Sequence, residues 1–147
     1  MKTEQNISAF KQKALHWANQ FNVCCFLDSN QYKDEYSAYE FIVAADVQVE
    51  LKANSGNAFE QLKTFYEIHN TWLFGFFGYD LKNETEHLQS ANSDKLQFPD
   101  LYFFVPKYLI GFKNGKAEVL LGNGSILEEI DSCDFEEAVF STKLIIN

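Results

Sequence analysis

Residues 10–21 carry apolar side chains at the spacing of an amphipathic helix. From Phe10 to Phe21 they fall at i, i+4, i+7, i+8 and i+11, so they share one side of a helix. This helix is predicted to end near Gln20. Asn6 or Ser8 is expected to cap its start, because short polar side chains accept hydrogen bonds from the first helical N–H groups.

A second helix is predicted to follow the polar break at residues 54–57. Asn57 is expected to cap it, and Glu60 three residues later completes the pattern of a capping box. A third, shorter helix is expected to begin with Asp80 as its cap. The apolar stripe of the second helix is predicted to consist of Phe59, Leu62, Tyr66 and His69, with Ala58 and Phe65 flanking it.

Strands are predicted where apolar residues run together or alternate with polar ones. The run from Trp72 to Asp80 is almost entirely apolar, so we expect a central strand that is buried on both faces. Gly75 and Gly78 interrupt it, and glycines inside a strand mark bulges or the close approach of another backbone or a ligand. The other predicted strands cover residues 22–27, which we expect to be buried, 41–45, 47–52, 101–112 and 117–121.

Asn114-Gly115 gives the strongest hairpin signal, because a two-residue hairpin turn needs positive φ at both central residues. It is expected to pair the strand before it with residues 117–121. Pro106 is expected to break the preceding long strand and to lie at a sheet edge or a bulge. Together these elements predict one α+β domain in which helices pack on a mostly antiparallel sheet.

The composition is that of a globular protein, and the net charge argues against two classes of binding partner. Of the 147 residues, 46% are hydrophobic and 15 are Phe, which predicts broad aromatic packing surfaces. The formal net charge of −9 argues against binding to nucleic acid or to anionic membranes, since both need clusters of Lys and Arg. No apolar run approaches the roughly 20 residues of a membrane helix, and the first residues lack the order of a signal peptide, so we expect a cytoplasmic protein.

The sequence shows no self-contained active site. Such a site needs a nucleophile with its base, a metal cluster or a phosphate-binding glycine loop, and none of these patterns is visible. Glu84, Glu86 and His87 lack the spacing of a metal site and are interpreted as a solvated helix face. The adjacent Cys24 and Cys25 fit neither a disulfide framework nor a metal site and are expected to pack as small hydrophobes.

Three short motifs follow one another along the chain: Phe26-Leu-Asp-Ser29, Gly75-Phe-Phe-Gly-Tyr-Asp-Leu-Lys82 and Phe98-Pro-Asp-Leu101. Their order resembles the amino-terminal region of the chorismate-utilising enzymes, which include anthranilate synthase component I and aminodeoxychorismate synthase component I. The corresponding family elements are Leu-Leu-Glu-Ser, a Gly-x-x-Gly-Tyr-Asp strand end, and a Pro-Asp pair that leads into another strand. The resemblance covers most of the chain from about Phe26 to Leu121.

The resemblance implies a non-catalytic amino-terminal lobe. In this family chorismate and Mg²⁺ are bound by a longer carboxyl-terminal domain, which this chain is expected to lack, so no cofactor is expected here. The second and third motifs look most like aminodeoxychorismate (para-aminobenzoate) synthase component I, which uses ammonia from a glutamine amidotransferase subunit. The lobe would pack on its catalytic domain, and in isolation it would self-associate through exposed apolar surface.

The resemblance also implies roles for individual residues. In several family members this lobe binds L-tryptophan; Ser29 matches a serine of that element, Asp28 matches its acidic partner, and Tyr39 is a looser match to another pocket residue. The alternative for Asp28 and Ser29 is a simple turn. Scaffold and lobe-packing roles are implied for Gly75, Gly78, Tyr79, Asp80, Pro99 and Asp100.

Two other functions stay open at the level of the sequence. The lobe could come from an anthranilate synthase, where tryptophan binding is feedback inhibition of the enzyme. It could also be a stand-alone module that binds an amino acid or another protein. Tryptophan inhibition of the full-length enzyme would favour the first of these, and a reading frame without a chorismate-binding domain would favour the second.

Overall fold

The computed structural model describes residues 2–32, 35–86 and 98–134, so His87 lies outside the described part. The elements occur in this order: α1 (Lys2–Ala18), β1 (Cys24–Asp28), β2 (Phe41–Ala53), α2 (Ala58–His69), β3 (Phe74–Phe77), a 3₁₀ turn (Tyr79–Leu81), α3 (Lys82–Glu86), β4 (Leu101–Lys113), β5 (Lys116–Leu121) and α4 (Ser125–Asp131).

The described strands form one five-stranded sheet in which every pairing is antiparallel. The strand order is β1-β2-β4-β3, and β5 also pairs with β4. The first half of β4 therefore pairs with β2 and β3, and its second half pairs with β2 and β5. This arrangement confirms the predicted α+β fold. The hairpin between β4 and β5 is confirmed as well, since φ is 52° at Asn114 and 75° at Gly115.

β2 is one long strand, although the sequence predicted two separate strands on either side of Asp46. The φ of Asp46 is 59°, and the pairing register shifts between Val47 and Val49, which marks a β-bulge. Pro106 pairs with Val47 beside this bulge and is buried. Because a bulge disrupts the ladder locally, a residue without an N–H is tolerated in a central strand. Pro106 thus lies at a bulge as predicted, but it does not break β4.

α1 and α4 pack on the same face of the sheet, which we call the α1 face. The apolar stripe predicted for α1 and its end near Gln20 are confirmed, since the last helical residue is Ala18, but the predicted start is wrong. Asn6 and Ser8 lie inside the helix rather than at its cap. The polar residues ahead of the stripe extend the helix because Lys, Glu and Gln favour it. The buried cluster on the α1 face includes Ala14, Trp17, Ala18, Phe41, Val43, Ile110, Phe112 and Ile126.

α2 is rotated relative to the predicted stripe, so that the flanking residues Ala58 and Phe65 are the ones that are buried. Ala58 and Phe65 are buried, whereas Phe59 and Tyr66 expose 43% and 51% of their surface. Ala58 packs in one cluster with residues of β2 and β4, and Leu62 packs against that cluster. The small Ala58 lets the helix lie close to the sheet, so the neighbouring Phe59 turns outward.

β1 and β3 are edge strands among the described residues, although both were predicted to be buried. Phe76 and Phe77 of β3 are exposed, and so are Cys24 and Leu27 of β1. Cys25 packs against a buried cluster, as expected for a small hydrophobe. Whether a strand is buried depends on its neighbours in the sheet. The apolar run of β3 predicted that β3 is the central strand, but β4 lies between β2 and β3 instead.

Candidate functional site

Several large aromatic side chains are exposed at and beside β3. Phe76 and Phe77 point to opposite faces of the sheet, because successive strand residues alternate. Exposed apolar surface can mark an interaction site, so the concentration of exposed rings at this edge strand makes it a candidate interaction site. We call it the aromatic edge; its members expose between 42% and 80% of their surface and are Phe59, Trp72, Phe76, Phe77, Tyr79 and Phe98.

Ring contacts link this edge to α2 and to β4. The ring centroid of Phe77 lies 5.9 Å from that of Phe59 and 5.0 Å from that of Phe103. On the other face, the rings of Phe76 and Tyr102 are 5.9 Å apart. These spacings are typical of favourable aromatic pairs, so the exposed rings are held in place before any partner binds.

A polar group flanks the aromatic edge. The Tyr102 hydroxyl donates a hydrogen bond of 2.9 Å to the Glu50 carboxylate, which also pairs with the Lys52 ammonium at 2.8 Å. Burial and the Glu50 carboxylate together raise the pKa of Tyr102 to about 12. The phenol therefore stays protonated at neutral pH and acts as a hydrogen-bond donor. An apolar surface with a polar rim is the usual anatomy of a protein interface.

Gly75 and Gly78 are needed because another part of the backbone approaches them. A Cβ atom at Gly75 would overlap the carbonyl oxygen of Tyr102 and would lie 2.7 Å from the Cα of Phe103. At Gly78 it would lie 3.0 Å from the carbonyl oxygen of Asp100, which accepts a 2.6 Å hydrogen bond from the Gly78 N–H. The structure thus brings Gly75, Gly78 and Asp100 together, behind the aromatic edge.

Two carboxylates hold the loop that leads into α2. The Asp100 carboxylate accepts a hydrogen bond of 2.7 Å from the Ser55 N–H. The Glu84 carboxylate accepts hydrogen bonds of 2.7 Å from the N–H groups of Gly56 and Ala58, at the start of α2. These backbone hydrogen bonds, above all the one from Ala58, lower the pKa of Glu84. α2 is therefore capped by a side chain from α3.

The cap of α2 differs from the predicted capping box. Asn57 occupies the cap position, but its side chain makes no capping hydrogen bond. It accepts a hydrogen bond from the Gln61 side chain instead. Glu84, which the sequence suggested to be a solvated residue, takes over the role. No local pattern could have revealed this, because Glu84 and Ala58 are 26 residues apart in the chain.

The remaining motif residues lie around the same assembly. Tyr79 is 80% exposed, and the Lys82 ammonium lies 3.7 Å from the centre of its ring. Asp80 does not cap a helix as predicted, because the 3₁₀ turn already begins at Tyr79 and Asp80 lies within it. Pro99 is half-buried directly before Asp100.

Asp28 lies at the end of β1, where its carboxylate already has partners. The Lys11 ammonium lies 2.9 Å from both carboxylate oxygens, and the Asn30 N–H donates a hydrogen bond of 2.9 Å. Partial burial raises the pKa of Asp28, but the hydrogen bonds and charge of Lys11 together with the Asn30 hydrogen bond outweigh it, so the net shift is downward. A ligand ammonium would have to displace Lys11 to pair with this carboxylate.

The structure does not bring Asp28 and Tyr39 together. Asp28 pairs with Phe41 in the sheet and contacts Lys11 of α1, so its side chain is on the α1 face. The Tyr39 ring lies over Gly111, on the opposite face, where its hydroxyl donates to the Glu118 carboxylate. This hydrogen bond is the main reason why the pKa of Tyr39 is raised.

Ser29 forms part of a turn. Its N–H donates a 3.0 Å hydrogen bond to the Glu40 carbonyl, and its own carbonyl accepts one of 2.9 Å from the Tyr32 N–H. Asn30 and Gln31 follow with φ of 54° and 66°. This geometry favours the turn interpretation of Asp28 and Ser29, since Asp and Asn commonly stabilise such turns through their side chains.

The described ranges contain no cluster of three or more His, Cys, Asp or Glu side chains that could hold a metal ion. In the same ranges, none of the helices combines the length and the apolar character needed to cross a membrane. The sequence analysis predicted broad aromatic packing surfaces from the Phe content, but it did not predict that they lie at β3. The signal for this position was the adjacent pair Phe76 and Phe77, which must face both sides of any strand. No protein-family model matches the sequence, and no curated protein matches it.

Proposed function

We propose that the chain is the non-catalytic amino-terminal lobe of an aminodeoxychorismate synthase component I, which aminates chorismate for para-aminobenzoate and folate synthesis. The observation that carries this proposal is the contact between the second and third motifs. Gly78 and Asp100 share a 2.6 Å hydrogen bond, and Gly75 packs directly on β4. Both motifs support the aromatic edge, which is the kind of surface that a lobe needs for packing on another domain.

In this proposal the aromatic edge packs against a chorismate-binding catalytic domain. That domain holds Mg²⁺ and chorismate, and a glutamine amidotransferase subunit delivers ammonia to it. The whole enzyme works in the cytoplasm. The lobe contributes stability and orientation to the catalytic domain, while the reacting atoms stay outside the lobe.

If L-tryptophan binds, we expect it to bind to the assembled enzyme and not to the lobe alone. Lys11 occupies the Asp28 carboxylate, and Tyr39 lies on the other face of the sheet. Calorimetric titration of the isolated chain with L-tryptophan is therefore expected to give no binding heat. Binding to the isolated chain that disappears in Ser29→Ala would contradict this assignment.

The packing role is tested by mixing the chain with the separately purified catalytic domain of an aminodeoxychorismate synthase component I. We expect a complex in light scattering and faster formation of aminodeoxychorismate from chorismate, ammonium and Mg²⁺, whereas the chain alone forms none. Phe76→Asp should weaken the complex about tenfold or more, because it places a charge in the apolar contact.

Leu15→Asp is the matched control for this experiment. Leu15 lies on α1 and, like Phe76, exposes 44% of its surface. It should leave the complex intact. Two outcomes would argue against a lobe that docks through the aromatic edge. One is that the parent chain forms no complex, and the other is that Phe76→Asp and Leu15→Asp weaken the complex equally.

A further inference from the structure

The outer edge of β1 has no neighbouring strand among the described residues. Two hydrogen bonds show which backbone groups of this segment face β2. The Asp46 N–H donates to the Val23 carbonyl, and the Ser29 N–H donates to the Glu40 carbonyl. The direction of hydrogen bonding alternates along a strand, so the odd-numbered residues from Val23 to Ser29 face β2. The N–H and C=O groups that point away from the sheet are therefore those of Cys24, Phe26 and Asp28.

β1 lacks the features that often protect a sheet edge from pairing with another chain. Such features include lysine or proline in the edge strand and a β-bulge, whereas β1 contains neither residue and pairs with β2 in a continuous register. Its one charged residue, Asp28, is neutralised by the Lys11 ammonium at 2.9 Å. Cys24 is exposed, and Leu27 exposes 52% of its surface. This edge is thus close to neutral and partly apolar, on a chain whose formal net charge is −9.

The outward groups of β1 are complementary to those of β1 in a second copy of the chain. An antiparallel pair centred on Phe26 places Phe26 opposite Phe26 and places Cys24 opposite Asp28 of the second copy. All of these are hydrogen-bonded positions, so the two strands can form up to about six hydrogen bonds across a two-fold axis. The two carboxylates do not face each other in this register, because each Asp28 lies opposite an uncharged Cys24.

The side chains of β1 also match in this register. On the face away from α1, the exposed Leu27 lies opposite Cys25 of the second copy, so an apolar side chain gains an apolar neighbour. On the α1 face the two Phe26 side chains lie opposite each other. The Phe26 ring already stacks on Phe41, with 5.6 Å between the ring centroids, so its orientation is fixed before pairing. Apolar and aromatic pairs across neighbouring strands stabilise a sheet.

We propose that β1 forms a two-fold symmetric dimer of this chain, in which two five-stranded sheets join into one continuous antiparallel sheet. The partner is a second copy, because the centred register pairs every outward group without opposing like charges. β3 lies at the other end of the strand order, so the dimer leaves the aromatic edge free. The contact between the second and third motifs, which carries the chorismate-enzyme proposal, is not involved, so either proposal can fail without the other.

A disulfide across the axis tests the register directly. Leu27→Cys places a thiol opposite the native Cys25 of the second copy, where Cα atoms lie about 4.5 Å apart and a disulfide can form. In a Cys24→Ala background, mild oxidation with oxidised glutathione should give a covalent dimer on a non-reducing gel. Adding Cys25→Ala should remove this dimer. Leu15→Cys is the matched control, since Leu15 is exposed on α1, and it should give no covalent dimer.

Sedimentation velocity tests the backbone pairing. The experiment uses the Phe76→Asp chain at about 1 M salt, so that the aromatic edge contributes less and charge repulsion is screened. We expect a dimer whose population grows with protein concentration. Adding Cys24→Pro should weaken it about tenfold or more, because proline removes an outward N–H from each copy while the hydrogen bonds to β2 remain. Cys24→Ala keeps this N–H and should leave the dimer intact.

Three outcomes would overturn the proposal. One is that neither sedimentation nor oxidation of the Leu27→Cys chain yields a dimer. Another is that Cys24→Pro and Cys24→Ala affect the dimer equally. The third is that the covalent dimer persists when Cys25 is replaced by alanine.

Discussion

Single carboxylates connect parts of this chain that are far apart in sequence. Asp100 accepts from the Ser55 N–H, and Glu84 accepts from the N–H groups of Gly56 and Ala58. The first N–H groups of a helix have no partner inside the helix, and negative charge is favourable at that end. The start of α2 is thus stabilised by a residue of α3 and the preceding loop by a residue next to β4.

Removing the Glu84 carboxylate should lower the thermal stability of the chain. We expect Glu84→Ala to lower the melting temperature by about 3 °C at pH 7, because the N–H groups of Gly56 and Ala58 lose their acceptor. Glu86→Ala is the matched control, since Glu86 is exposed on the same helix and makes no recorded contact within the described residues. Differential scanning calorimetry of both variants gives the comparison, and equal melting temperatures would refute the role of Glu84.

The contribution of Glu84 should also depend on pH. Its pKa is lowered in the folded state relative to the ordinary value of 4.5, so the unfolded chain takes up a proton more readily. The stabilisation is fully present above pH 4.5 and is lost as the pH falls through the folded-state pKa. The difference in melting temperature between the parent and Glu84→Ala proteins should therefore shrink below pH 4.5; a constant difference would exclude a role for the charge.

At the scale of elements, α2 shows how a correct helix can be assigned the wrong buried side. Residues 59 and 58 are neighbours on the helix, so stripes that begin at either one are both apolar. The choice depends on what the sheet offers, and here Ala58 fits against Leu101 and Ala53. Periodicity fixes that a helix forms, whereas its rotation depends on packing with distant strands.

Two phenylalanines of α2 provide a direct test of this rotation. We expect Phe65→Ala to lower the free energy of unfolding by about 3 kcal/mol, because Phe65 is buried and its loss leaves a cavity. Phe59→Ala should cost less than about 1 kcal/mol, since Phe59 is 43% exposed. Urea denaturation measures both values, and a larger loss for Phe59→Ala would restore the stripe predicted from the sequence.

The contact between β3 and β4 should be sensitive to a single methyl group at Gly75. A Cβ atom there would overlap the Tyr102 carbonyl oxygen, so β3 must move away from β4. We expect Gly75→Ala to cost about 3 kcal/mol in urea denaturation. At Gly124 an added Cβ meets nothing within 4 Å, so Gly124→Ala should change stability by less than about 0.5 kcal/mol. Equal effects would mean that the close approach at Gly75 carries no cost.

Local patterns predicted what is determined locally. The α1 stripe, the hairpin turn at Asn114-Gly115, the bulge at Pro106 and the close backbone approach at Gly75 all follow from residue type and spacing. The edge positions of β1 and β3 could not be predicted, because they depend on which strands pair with β4. The same holds for Asp28 and Tyr39, which are near in sequence and lie on opposite faces of the sheet.

At the scale of the whole molecule, charge and aromatic surface oppose each other in self-association. The formal net charge of −9 makes two copies repel one another. The aromatic edge favours association, because burial of its exposed rings removes apolar surface from water. Raising the salt concentration from about 0.1 M to about 1 M shortens the Debye length from about 10 Å to about 3 Å and so weakens only the repulsion.

The isolated chain should therefore self-associate more strongly as salt is added. Sedimentation velocity is expected to show a growing dimer or higher species at about 1 M salt. Phe76→Asp should shift the population toward monomer, since it adds a charge to the aromatic edge. Leu15→Asp changes the net charge by the same amount on α1, outside the aromatic edge, so it separates the effect of the surface from the effect of the charge. If the chain stays monomeric at every salt concentration, or if Phe76→Asp and Leu15→Asp change the monomer population equally, the aromatic edge does not mediate self-association.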